Sequence, residues 1–196
     1  MEDATGERGI GGIGGIVLDG NEYTVEQSYF RNKYKVYDAN GSLVLKSKQK
    51  MMKMKEEFPF FDPDGNVVFR VKARNILDVS GDYVLTEEGS DEPILVLSKN
   101  FTFFHHRWTI KRPDGTVLAE VASRSAVLEA LRSLVDVLSF IPHKYSITTP
   151  DGEPIGEIAG QFSIRDRYHI RIDSPGTVSN TALVVGAIAI DALEGN

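Results

Sequence analysis

There is no cysteine in this chain. Disulfides, thiolate metal sites and a cysteine nucleophile are therefore excluded. A cysteine-free chain fits a reducing compartment, so a cytoplasmic location, peripheral at the membrane at most, is the expectation. Histidine occurs only four times. His105 and His106 are neighbours in a stretch that reads as strand, so they face opposite sides and cannot chelate together. Zinc needs three or four convergent ligands. Positive charge is also short: 22 Lys and Arg stand against 28 Asp and Glu, for a net charge of −6, whereas nucleic-acid binders usually carry a basic balance. No apolar run approaches the ~20 residues that span a bilayer. Met1 to Glu7 carries Glu2, Asp3 and Glu7 where a secretory leader would be basic. No serine sits in a nucleophile elbow, and no carboxylate pair is forced together by spacing. The expectation is a protein that is not an enzyme and has no metal or cofactor.

What is present begins at the C-terminus. From Ala182 to Ile190 there is no polar side chain. As a helix, this run is apolar on every face and must be buried. At ~1.5 Å per residue it reaches only about 14 Å, too short for a bilayer and suited to the inside of the protein. Its small residues Ala182, Gly186, Ala187 and Ala189 would let other elements approach closely. Ser179 or Asn180 suits its N-cap, and Gly195 lies just past its end.

The middle of the chain repeats one unit: alternating strand, turn with glycine, alternating strand. The turns are Asp38-Ala-Asn-Gly41, Asp62-Pro-Asp-Gly65, Glu87-Glu-Gly89, Arg112-Pro-Asp-Gly115 and Thr149-Pro-Asp-Gly152. Proline fixes φ, Asp or Asn bonds its own backbone, and glycine accepts the left-handed residue that closes a bulged hairpin. That chemistry accounts for Asp62-Pro-Asp-Gly65 without calcium, because an EF-hand needs a glycine sixth and a glutamate twelfth. A sixth hairpin is expected to turn at Asp166-Arg167. Twelve strands follow, near 30–38, 42–49, 57–61, 66–73, 82–86, 93–98, 105–111, 116–122, 144–148, 153–158, 161–165 and 168–172. Val67, Phe69, Val71 and Ala73 alternate with Arg70, Lys72 and Arg74, a period of two with one wet face. Twelve antiparallel strands avoid exposed edges by closing. A barrel that wide is not filled by its own side chains, and the C-terminal helix fits as its plug.

Between the fourth and fifth hairpins, Ser123 to Ile141 carries Val127, Leu131, Leu134, Val135 and Leu138 at helical spacing. This reads as one additional amphipathic helix, capped by Ser123 or Ser125 and stopped by Pro142. It would close one end of the barrel or lie against its outside. The fold class is thus mainly β: a closed twelve-stranded antiparallel β-barrel enclosing a hydrophobic C-terminal α-helix. Residues 22–196 form a single domain. Residues 1–21 are a Gly-rich arm in which Gly9, Gly11 and Gly14 match G-x-G-x-x-G only formally, since no strand precedes them and no helical pattern follows. Its isoleucines suit it to lie across a hydrophobic groove or a sheet edge.

The stretches Tyr34-Lys-Val-Tyr-Asp-Ala-Asn-Gly41, Phe60-Phe-Asp-Pro-Asp-Gly65, Trp108-Thr-Ile-Lys-Arg-Pro-Asp-Gly115 and Tyr145-Ser-Ile-Thr-Thr-Pro-Asp-Gly152, with the terminal apolar helix, resemble the LURP-one-related family. That fold is similar to the C-terminal domain of tubby-like proteins and to phospholipid scramblases. The likeness runs from residue 22 to residue 193. It implies a twelve-stranded barrel around a central helix and brings no catalytic residues. Tubby-like domains are associated with phosphoinositides, and scramblase-type relatives with membranes and Ca²⁺. Their ligand residues do not map onto this sequence, so the resemblance implies lipid-surface binding in outline only.

The distinctive surface feature is basic. Lys46, Lys48 and Lys50 share one strand face, continued by Lys53 and Lys55 with Met51, Met52 and Met54 between them. Arg70, Lys72 and Arg74 share a face of a nearby strand. Such a face suits anionic lipid head groups or an acidic partner, although alternation alone puts long charged side chains on the outside of any barrel. The expected function is a non-catalytic binding or scaffold module using this face. The alternative is a carrier holding a small apolar ligand in a barrel-end pocket.

Overall fold

The computed structural model describes residues 12–28, 33–48, 58–73, 82–102, 105–123, 144–161, 166–174 and 178–194. Twelve strands run β1 (Glu22–Ser28), β2 (Lys33–Asp38), β3 (Leu43–Lys48), β4 (Phe58–Phe61), β5 (Val67–Ala73), β6 (Asp82–Glu87), β7 (Pro93–Thr102), β8 (His105–Lys111), β9 (Val117–Ser123), β10 (Lys144–Thr148), β11 (Pro154–Gln161) and β12 (Asp166–Ile172). They close into a barrel in which each strand pairs with its sequence neighbours and β12 returns to β1. Every pairing is antiparallel. One helix is present among the described residues, α1 (Asn180–Glu194).

Two details differ from the sequence reading. The expected strand at 161–165 is not separate: β11 runs on to Gln161, and 162–165 lie outside the described residues. The expected turn at Asp166-Arg167 is instead the start of β12, where these residues pair with Gln27 and Glu26 of β1. Of the turn-forming residues this dipeptide holds only the aspartate, with neither proline nor glycine to fix the bend. The twelfth strand is β1. It offers only Tyr23 and Val25 to the core, too few apolar positions to stand out. The second expected helix, from Ser123 to Ile141, falls outside the described residues except for Ser123, which ends β9.

The period of two sets the two faces of the wall. Tyr34, Val36, Leu45, Phe69, Val71, Leu97, Trp108, Ile110 and Ile147 point in and are essentially inaccessible. Phe60 and Phe69 stack with centroids 4.5 Å apart and planes at 22°. Lys35 and Arg171 on the outer face are exposed. Apolar inside and charged outside is the reverse of a barrel that crosses a bilayer with its strands. No described helix is long and apolar enough to cross one.

α1 fills the interior. Its 15 residues span about 22 Å, comparable to a seven-residue strand at ~3.3 Å per residue. All of Thr181 to Ile190 is buried. Of the two candidate caps, Ser179 does the capping: its Oγ accepts from the Ala182 N–H at 3.1 Å. Asn180 lies in the first turn, and its amide donates to the Gly20 carbonyl at 2.9 Å.

All five glycine turns lie at one end of the barrel, because strand direction alternates. Four share one geometry, shown by Gly65, whose N–H donates to the Asp62 carbonyl while the Asp62 N–H donates to the Asn66 carbonyl. The turn glycine has φ of +99° there, a conformation that other residues adopt at a cost. Each hairpin then skips one residue in register: Val44, Val68, Ile94, Leu118 and Ile155 are left unpaired between bonded neighbours. A bulge turns one extra side chain and twists the strand. Here all five extra side chains are apolar and pack on or within the core cluster, which closes the turn end of the barrel with a hydrophobic ring.

The arm completes that closure. Ile13 and Ile16 exchange backbone hydrogen bonds of 3.0 and 2.9 Å around Gly14 and Gly15, which have φ of +56° and +75°. Ile13 and Leu18 are buried in the core cluster. The Leu18 N–H donates to Thr181 Oγ1 at 2.9 Å, and the Ile172 N–H donates to the Asn21 carbonyl. The glycines of this segment serve a tight turn beside Val68, and Leu18 and Gly20 bond the first turn of α1.

Candidate anion-binding face

The structure separates the cations that the sequence placed together. Lys46 and Lys48 lie on the outer face of β3, whereas Arg70 and Lys72 lie on that of β5, with β4 between them. Lys50 and Arg74, with Lys53 and Lys55, fall outside the described residues. Arg70 forks onto Glu88, with Nε to Oε2 at 2.6 Å and an Nη to Oε1 at 3.0 Å. The Arg70 hydrogen bond holds the Glu88 carboxyl below its ordinary pKa. Lys72 Nζ meets Asp91 at 3.3 Å. Lys46 Nζ donates to the Pro63 carbonyl at 2.7 Å. The β5 pair is thus engaged by turn-end carboxylates.

The cations that come together are on β2 and β3. Lys33 is directly opposite Lys48, and Lys35 directly opposite Lys46. Paired positions on one face hold their Cβ atoms about 5 Å apart, and like charges there are destabilising. Lys35 and Lys48 are exposed and Lys33 is partly so. Among the described residues, no ion pair engages Lys33, Lys35 or Lys48.

The sequence reading missed Lys33 and Lys35. Their signal is the alternation Lys33-Tyr-Lys35-Val36, and what hides it is register. A regular ladder running on from the Tyr37–Leu43 pair would set Lys35 against Leu45. The skip at Val44 sets it against Lys46 instead, and a one-residue slip exchanges faces.

Elsewhere on the outer wall several cations are paired. Arg167 pairs with Glu26, and Arg171 pairs with Glu157 at 3.2 Å and Asp173 at 3.1 Å. Arg107 meets Glu120 at 3.5 Å. His169 Nδ1 lies 3.1 Å from Thr24 Oγ1. Among the described residues, no three His, Asp or Glu side chains converge as a metal site. Inside, Tyr168 is fully enclosed beside Asp191 of α1. Burial first, then the Asp191 charge and Tyr34, push its hydroxyl pKa well above the ordinary tyrosine value. Gln27 Nε2 donates to the Tyr34 hydroxyl at 2.9 Å.

A closed antiparallel barrel threaded by an apolar C-terminal helix, with its charge on the outside, defines the structural class. Comparison with known proteins narrows it. A profile of the LURP-one-related family matches residues 43–191, and the chain belongs to that family. An X-ray structure of a protein from Arabidopsis thaliana is similar in fold, with a TM-score of 0.55 at 9% identity, covering 88% of this chain and 91% of that one. A search of curated protein sequences finds no match.

Proposed function

We propose that this protein is a non-catalytic binding module, with residues 22–196 as its working domain, that engages clustered anionic groups through the lysines of β2 and β3. The observation that carries this reading is the direct opposition of Lys33 to Lys48 and of Lys35 to Lys46, in a chain whose net charge is −6. Like charges held about 5 Å apart cost stability unless an anion or solvent screens them. The sites are lysines, flexible point charges, and not the planar forks that select one carboxylate geometry. They lie side by side on the outer wall, on two neighbouring strands. Both features suit an array of head-group phosphates better than a fixed pattern of carboxylates. At ~1 kcal/mol per lysine near an anionic surface, four lysines supply about 4 kcal/mol, a partition factor on the order of 10³. The setting is cytoplasmic and peripheral at a membrane.

The test is co-sedimentation with phosphatidylcholine vesicles and with vesicles that also contain phosphatidylserine, at low and high salt. Binding is expected only to the second kind, and it should weaken with salt. Changing Lys33, Lys35 and Lys48 together to Glu should abolish it. A triple variant that sediments like the parent would end the assignment to this face.

A further inference from the structure

Register sets the lysines of β2 and β3 against particular neighbours. On the β1 side, Lys33 stands opposite Ser28 and Lys35 opposite Glu26. On the β4 side, Lys46 stands opposite Phe61. Among the described residues, Glu26 is therefore the one carboxylate placed directly across from any of these lysines. Paired positions on one face hold their Cβ atoms about 5 Å apart, close enough for a Glu–Lys ion pair. With no other partner, Glu26 would bond Lys35 and remove one charge from the lysine array.

Glu26 has another partner. It also stands opposite Arg167, so one row crosses four strands: Arg167 on β12, Glu26 on β1, Lys35 on β2 and Lys46 on β3. The carboxylate turns to the β12 side, where its Oε1 accepts from an Arg167 Nη. Lys35 is left exposed, with no ion pair among the described residues. The chemistry of the two cations favours this choice. A guanidinium is more weakly hydrated than an ammonium, so it gives up less water to meet a carboxylate. The Glu26 side chain is only 22% exposed, and a partly buried pair is screened less than one in open solvent.

We propose that Arg167 is a positioning residue for the anion site: by holding Glu26 on the β12 side, it keeps Lys35 available to bound phosphates. This rests on the anion-binding reading of β2 and β3 and adds what governs the charge of that site. It also ties the site to the seam where β12 returns to β1 and closes the barrel. The lysines keep their full charge only while that seam holds Arg167 against Glu26.

Arg167 lies two strands from Lys35, about 10 Å at ~4.8 Å per strand. The Debye length at physiological salt is about 8 Å, so the charge of Arg167 also acts weakly on a bound surface by itself. A double-variant cycle separates that direct effect from one carried through Glu26. The assay is co-sedimentation with vesicles of phosphatidylcholine and phosphatidylserine, with melting temperature as the check on folding. Arg167→Gln frees Glu26 to pair with Lys35, and losing one effective lysine should weaken binding about fivefold. Glu26→Gln alone should change affinity less than about twofold, because that carboxylate is already engaged. In the Arg167→Gln background the same substitution should recover most of the loss. Arg167→Lys keeps a cation against Glu26 and should bind like the parent.

Equal strengthening by Glu26→Gln in both backgrounds, or an Arg167→Gln variant that binds like the parent, overturns the role of Arg167 and leaves the anion-binding reading intact. No sedimentation of the parent with any vesicle overturns both. If Arg167→Gln does not melt cooperatively, Glu26→Gln alone decides: a gain as large as one lysine is worth overturns the proposal, and near-parent binding sustains it.

Discussion

At Gly186 the helix leaves no room for a Cβ against Ile110 of the wall, and replacing it sets two known effects against each other. In a helix interior, Gly→Ala is favourable by about 1 kcal/mol. Here the new Cβ would lie 2.6 Å from Ile110 Cδ1, 3.3 Å from Ile110 Cγ1 and 3.7 Å from Leu97 Cδ2. Ile110 and Leu97 are 0% and 1% exposed, so the isoleucine must move against packed neighbours. Overpacking of this kind costs about 1–3 kcal/mol. Gly186→Ala should therefore come out between neutral and about 2 kcal/mol destabilising. Ile110→Val removes the Cδ1 in the way and by itself should cost about 0.5–1.5 kcal/mol. The double variant places the alanine methyl where Cδ1 was. It should be more stable than the sum of the single effects by at least about 1 kcal/mol. Urea unfolding of all four proteins, compared by midpoint and slope, measures this coupling. Additivity within about 0.5 kcal/mol would refute the packing of α1 against β8, as would a Gly186→Ala variant that gains the full helical propensity.

Three further outcomes follow from the same packing. Tyr168 resists ionisation in the folded barrel, while an unfolded tyrosine titrates near pH ~10. Stability should be intact below that pH and fall as pH rises above it, and Tyr168→Phe should flatten the decline in melting temperature; an unchanged alkaline profile would count against the enclosure of this hydroxyl. Thr181→Val keeps the shape but strands the buried Leu18 N–H, which should cost about 1–3 kcal/mol; a neutral result in thermal melts would mean that the arm does not grip the helix. Gly14→Ala places a Cβ 2.3 Å from the Val68 carbonyl oxygen at a φ of +56°, so it should unseat Ile13 and raise hydrogen exchange at the turn end. Unaltered exchange there would show that the stopper is dispensable.

The hairpins, their turns and the buried helix were legible in the residues because each is set by local chemistry. Alternation in Val67 to Ala73 sets the face of β5, Pro-Asp-Gly sets a turn, and nine apolar residues in a row require an interior. From these follow a closed antiparallel barrel and a helix inside it, and family membership agrees with them. β1 was not legible, since two inward side chains in seven residues resemble a loop. Bulged hairpins were expected from the turn glycines, but not the skipped residue further along each strand, which leaves its own trace in consecutive apolar residues such as Val67-Val68-Phe69 and Val117-Leu118-Ala119, where a regular strand would alternate.

The candidate site shows where local chemistry stops. Spacing along one strand put Lys46 and Lys48 on the same face, as the structure has them. It also grouped them with Arg70 and Lys72, which the barrel places across β4 and engages with Glu88 and Asp91. The partners that do stand opposite, Lys35 and Lys33, are brought there by the single skipped residue at Val44. The sequence by itself determined which faces are apolar, where the chain turns and what must be buried, because those depend on neighbours in the chain. Only the tertiary structure decided which lysines meet and that the arm packs at the turn end. Those depend on register and strand direction, and one bulge or one reversal of the chain exchanges every face and every end beyond it.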